Sequence, residues 1–151
     1  FDEAQLTRRI DIDLDEGAEA LVLETVALGR LAMGEKRICG MFSDRWRVRQ
    51  AGRLIHAEDF KIGPKISDTA DAAAVLGGAG CFATLLLISP DGEELLEQAR
   101  EIIGNRGGAS FWNGKLLARL HAEDAYWLRK RLVPLVHLLN REAALPKCWS
   151  L

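Results

Sequence analysis

At 151 residues and 48% hydrophobic side chains, the chain can bury a core of its own. Its formal net charge of −2 and pI of about 6.0 lack the strongly basic balance of a protein whose main partner is nucleic acid. No apolar run reaches the roughly 18 residues of a membrane-spanning helix; the longest, CFATLLLI (Cys81 to Ile88), has the length of a strand.

Strands come first. In RIDIDL, Ile10, Ile12 and Leu14 alternate with Asp11 and Asp13, the period of two of a half-buried strand. Asp15 to Gly17 makes a turn. Ala20 to Leu28 is apolar and β-branched, with Glu24 as its only charge. KRICGMF follows, then DRWRVRQ, where Trp46 and Val48 face one way and Arg45, Arg47 and Arg49 the other. AGR turns the chain into LIHAEDFKI. Antiparallel strands joined by short turns are the simplest arrangement. Gly63 to Gly80 is rich in small residues and reads as a loop. Its glycines Gly77, Gly78 and Gly80 precede an apolar strand, whereas a phosphate cradle needs a helix N-terminus after it.

Helices come late. Ser89 is an N-cap, Pro90 takes the first helical position, and Gly104-Asn105 closes a helix with Leu95, Ala99, Ile102 and Ile103 inside. Asn113-Gly114 between apolar runs predicts a hairpin. Leu128, Leu132, Leu135, Val136 and Leu139 form the stripe of an amphipathic helix, which Pro134 should bend.

Cys39, Cys81 and Cys148 are odd in number and lack CxxC spacing. They read as reduced thiols of a cytoplasmic protein. A zinc site combining them with His56, His121 and His137 lacks the usual close ligand pairs. There is no recognisable signal peptide, and the start at Phe1 reads as a fragment or a trimmed chain.

Glu24, then LGRLAMGE, then WRVRQAGRLIHAED, resembles the UreD (UreH) family of urease accessory proteins. Gly29, Arg30, Gly34 and Glu35 occupy that family's Gly-Arg-x-x-x-Gly-Glu segment, which follows a strand carrying a carboxylate. LGGAGCFATLLLISPDGEELLEQAR and GKLLARLHAEDAYWLRKRLVPLVHLLNRE also match in order, as does the ending that contains Leu145, Pro146 and Trp149. Members are roughly twice as long, so the chain corresponds to the C-terminal half, a single domain or fragment without its N-terminal half. The resemblance implies an irregular, mostly antiparallel β architecture with two C-terminal helices. That agrees with the order of elements read above: mainly β with late helices, an α+β class. It also implies a non-enzymatic cytoplasmic protein that helps insert nickel into urease. Such a protein binds urease apoprotein and the helical accessory protein UreF, and through UreF the GTPase UreG. It binds no nucleic acid or membrane and holds no tight cofactor, only transient Ni²⁺ in passage. The alternative is a metal-independent β-rich interaction scaffold.

Two readings stand for each candidate residue. Glu24, Glu35 and His56 are candidate stepping points for nickel, which prefers imidazole and accepts carboxylate, with Arg30 fixing the geometry. The plainer reading is an Arg–carboxylate clamp on a turn whose glycines supply positive φ. His56 and Glu58 share a strand face and can pair, or lie on a surface strand. Cys148 is a buried hydrophobe, a free thiol or a metal ligand. The Arg45, Arg47, Arg49 row is a solvated edge that blocks strand pairing, or meets an acidic partner. Trp112, Trp127 and Trp149 are core residues, or interface aromatics if half the fold is absent; Trp127 joins the arginine row as a candidate partner contact. A half structure with free strand edges is expected to self-associate. No G-x-S-x-G elbow occurs, and nothing beyond Glu24 and Glu35 suggests a glycosidase dyad.

Overall fold

The alternation in RIDIDL does produce a strand, β1 (Ala4–Leu14), with Ile10, Ile12 and Leu14 half-buried and Asp11 and Asp13 exposed. A computed structural model describes residues 3–29, 34–35, 38–141 and 143–145. The other strands are β2 (Ala20–Ala27), β3 (Gly40–Gln50), β4 (Arg53–Ile62), β5 (Cys81–Ile88), β6 (Gly107–Trp112) and β7 (Lys115–Ala122). Helices α1 (Ile66–Asp71), α2 (Leu96–Ile103) and α3 (Ala125–Leu139) complete the set. The chain is mainly β, with α2 and α3 towards its C-terminal end, as the order of periodicities implied. It divides into two compact units, Phe1–Ala18 with Leu28–Gly78, and Glu19–Ala27 with Ala79–Leu151.

The first unit holds a three-stranded sheet in the order β1-β3-β4. Chain neighbours β1 and β2 lie in different sheets, and β1 runs parallel to β3. This corrects the expectation of sequential antiparallel pairing for this part of the chain. The long connection from Leu14 to Gly40, which contains β2, supplies the crossover of about a dozen residues that a parallel pair needs. The parallel register sets Ile10 beside Trp46, Ile12 beside Val48 and Arg8 beside Asp44. It therefore aligns the apolar faces and one ion pair together. β3 and β4 form a hairpin through Ala51 (φ 49°) and Gly52 (φ 76°), both in the left-handed region that a two-residue type I′ turn requires. Trp46 and Val48 are 1% and 0% exposed. Part of the small-residue segment read as loop forms α1, which buries Ile66 and Ala70.

The second unit is an antiparallel sheet in the order β2-β5-β7-β6. Its core joins Cys81, Ala83, Leu85 and Leu87 of β5 to alternate residues of β7 and to the inner stripes of α2 and α3. Five residues of α3, Leu128, Leu132, Leu135, Val136 and Leu139, are buried as their spacing predicted. Each buried leucine contributes roughly 2 kcal/mol by removal from water. Ser89 accepts from the Asp91 amide at 3.3 Å and Pro90 follows, so α2 is preceded by a capped 3₁₀ turn, Pro90–Glu93. Asp124 caps α3 by accepting from the Trp127 amide at 2.9 Å. Pro134 sits inside α3 at an exposed position. The carbonyl it leaves without a donor belongs to exposed Lys130, where water can reach it. The predicted Asn113-Gly114 hairpin joins β6 to β7, with φ of 48° and 71°. At Gly107, a Cβ would collide with the Arg119 carbonyl oxygen, so β6 can approach β7 there only with glycine.

Candidate functional site

After β2, the two glycines adopt the positive φ expected of them. Gly29 (φ 85°) and Gly34 (φ 79°) both lie in the left-handed region. A Cβ on Gly29 would stand 3.1 Å from Ile38 Cδ1 and 3.6 Å from the Glu35 carbonyl oxygen. Gly29 thus lies close against Ile38, whose amide donates to Ser67 Oγ at 2.8 Å. Glu35 is half-buried. Arg30, Pro146, Cys148 and Trp149 lie outside the described residues.

Glu24 belongs to the second unit. It sits half-buried on β2, opposite Thr84 of β5, and Thr84 in turn lies opposite Arg119 of β7. An acid, a hydroxyl and a cation therefore share one row across three strands, on the sheet face away from the helices. The strand next to Glu24 presents a hydroxyl, and the cation lies one strand further on, so the carboxylate sits in a polar row rather than among apolar side chains. Among the described residues, no group of three or more His, Cys, Asp or Glu is arranged to hold a metal.

His56 and Glu58 do form the pair that strand periodicity allowed, with Nε2 and Oε2 3.7 Å apart. The pair is not on a surface strand: the two side chains are only 6% and 13% exposed. The register explains this, because His56 lies opposite buried Val48 and Glu58 opposite buried Trp46.

The same sheet face carries a network that the residue-by-residue reading missed. Arg8 Nε donates to Asp44 Oδ1 at 3.1 Å and Arg8 Nη2 donates to Asp44 Oδ2 at 2.7 Å. Trp46 Nε1 donates to Asp44 Oδ2 at 2.9 Å. The Arg8 guanidinium also lies 5.4 Å from the centre of the Phe42 ring, a cation–π contact. The available signal was Asp44 two residues before Trp46, and Arg8 two before Ile10. Both are charges on the faces that the apolar alternation assigns to the interior.

The arginine row lies on the opposite face of β3. β3 is the central strand of its sheet, so the row does not guard an edge. The parallel register sets Asp11 beside Arg47 and Asp13 beside Arg49. Arg47 is further engaged. Its Nη2 donates to Asp59 at 2.7 Å, and its Nη1 donates to the carbonyls of Trp46 and Glu58 at 2.7 and 2.9 Å. Much of the acidic complement sought in a partner is present in the chain itself.

Trp112 and Trp127 are not core residues. They are 38% and 47% exposed, and Tyr126 is 59% exposed. Trp127 lines a cavity of about 260 Å³ with Arg106, Ala122, Glu123 and Arg131. A second cavity of about 220 Å³, lined by Thr25, Val26, Leu128 and Arg129 among others, also reaches Cys81. The Cys81 thiol donates to the Ala122 carbonyl at 3.4 Å. Burial, with the nearby Asp124 carboxylate, raises its pKa to about 11. It is a protonated core thiol at neutral pH, whereas Cys39 is exposed. No helix is long and apolar enough to cross a membrane among the described residues.

The sequence is similar to known proteins along its whole length. The family model for the UreD urease accessory protein matches residues 1–150. A urease accessory protein UreD of Mesorhizobium japonicum is 59% identical over 155 residues, covering 100% of this chain and 55% of that protein. A UreD 1 protein of Brucella abortus is 50% identical, with the same coverage of each. One of Brucella anthropi is 52% identical over 158 residues, covering 99% of this chain and 56% of its own length. The chain spans about half the length of the curated relatives it matches.

Proposed function

This chain belongs to the UreD urease accessory protein family, and on that premise we propose that it acts in urease maturation by docking other proteins. The observation that carries the reading is the match over residues 1–150, which includes the turn, the strands and both late helices. In this reading the chain contacts urease apoprotein and a UreF-type helical partner, and reaches UreG through that partner. Bond-making chemistry takes place elsewhere. The exposed Trp127 supports a docking role, since tryptophan and arginine are enriched where protein interfaces concentrate their binding energy. The arginine row on β3 contributes through its charges that cis carboxylates leave available.

Nickel is the cargo in this proposal, and Glu24, Glu35 and His56 are stepping points for it. The His56–Glu58 pair sets an imidazole and a carboxylate 3.7 Å apart, the two donor types that nickel accepts. A second reading, a scaffold that never touches metal, is favoured by the lack of a three-ligand cluster among the described residues. Equilibrium dialysis with Ni²⁺, comparing the chain with its Glu24→Ala/Glu35→Ala/His56→Ala variant, separates the two. Weaker retention by the variant supports nickel transit, and equal retention leaves the scaffold. Docking itself is tested by mixing tagged chain with purified urease apoprotein and the UreF-type protein. Co-elution is the expected result, and elution of each alone would refute the docking role.

A further inference from the structure

The first turns of α3 carry more exposed aromatic surface than the fold requires. The rings of Tyr126 and Trp127 meet nearly edge to face, with centroids 5.3 Å apart and planes at 76°. Lys130 Nζ stands 5.1 Å from the centre of one ring and 5.4 Å from the other. About half of each aromatic residue nevertheless remains in water. Such preformed rings have little rotamer freedom left to lose, so covering them would recover apolar free energy at low entropic cost.

The charge around the rings has a sign. Arg106 and Arg131, with Lys130 over the rings, stand against Glu123 in the same lining, a local balance towards cations in a chain whose net charge is −2. Asp124 is occupied as the cap on the Trp127 amide. The Arg106–Glu123 pair is 3.4 Å long, with its side chains 40% and 71% exposed, so solvent screens it. Arg106 and Arg131 both line the cavity beside Trp127.

We propose that this face docks an acidic segment of a partner protein, whose apolar side chain covers Trp127 while its carboxylates meet Arg106 and Arg131. The inference deepens the docking role proposed above and rests on it. Bases could also stack on these rings, but the chain's overall negative charge opposes a polyanion.

The test uses fluorescence anisotropy on the full chain with three labelled probes. Two are helical peptides sharing one leucine face, one flanked by glutamates and the other by lysines. The third is a short oligothymidylate. The proposal expects the glutamate peptide to bind, the lysine peptide to bind at least about tenfold more weakly, and moderate salt to weaken the glutamate complex. Trp127→Ala and Arg131→Glu should each reduce binding by about tenfold or more, and unchanged melting temperatures would confirm intact folds. The proposal is overturned if the glutamate peptide fails to bind, if both peptides bind equally, if neither variant changes binding, or if the oligonucleotide binds more tightly. Peptide binding that persists when urease apoprotein and the UreF-type protein do not co-elute would sink the urease assignment and leave the acidic-segment site. The reverse result would remove only the site.

Discussion

Replacing Asp44 with alanine should be among the most costly substitutions in the first unit. The carboxylate accepts three hydrogen bonds, two from Arg8 and one from Trp46. Its side chain is 10% exposed against 28% for that of Arg8. Removing one member of a buried ion pair costs about 3–5 kcal/mol. The partial exposure of Arg8 lets water recover some of this, while the indole N–H of Trp46, 1% exposed, loses its acceptor at about 1–3 kcal/mol. The balance is a loss of about 3–4 kcal/mol for Asp44→Ala. Asp44→Asn keeps an acceptor for Trp46 and should cost about 1 kcal/mol less. Urea unfolding of the full chain, followed by circular dichroism and by amide exchange of β3, reads both variants. A double-mutant cycle with Arg8→Ala should give a coupling of at least about 1 kcal/mol. A loss below about 1 kcal/mol for Asp44→Ala, or no coupling to Arg8, would refute the assignment of this network as the unit's polar anchor.

Leu132→Ala should destabilise the second unit by about 2–5 kcal/mol, because Leu132 is 1% exposed on the inner face of α3; a thermal shift too small for about 1 kcal/mol would contradict the packing. Arg141→Ala should cost no more than about 1 kcal/mol, since Arg141 Nη2 is shared among Glu19, Ser89 and Asp91 at the surface; a larger loss in urea would mean that the shared contact is a true clamp. Site-resolved mass spectrometry after a mild thiol reagent should show Cys39 modified and Cys81 protected until unfolding, and early labelling of Cys81 would contradict its burial. The raised pKa of Cys81 also predicts a pH dependence. The folded state keeps the thiol proton up to about 11, against 9.0 for the free group. The resulting stability is complete below pH 9 and is lost as pH rises through 9 towards 11. Cys81→Ala should flatten the alkaline stability slope in that window, and an unchanged slope would rule the thiol out as its source.

Local rules carried much of this fold. Asn113-Gly114 demanded a left-handed turn, and the leucine stripe from Leu128 to Leu139 demanded an apolar partner surface; both formed as written. The parallel pairing of β1 with β3 was not legible. A period of two says which face of a strand is buried and nothing about which strand lies beside it. For the same reason the alternation leaves an edge and a partner-facing row both open as readings of the arginines, while the register sets two of them beside Asp11 and Asp13 on a central strand. For Trp127 the sequence leaves core and partner contact both open, and its 47% exposure, off the buried stripe of Leu128 and Leu132, decides between them. Glu24 and Arg119 are far apart in sequence and share a row only through β5, so no local pattern could have joined them.

In the proposed role this chain serves the loading of urease with nickel and performs no turnover itself. The most direct measurement is the nickel content of urease purified from urease-producing cells with and without the gene for this chain. The account predicts normal amounts of urease protein with most of its nickel missing when the gene is deleted, restored when it is returned. Urease with full nickel and full activity after the deletion would contradict it.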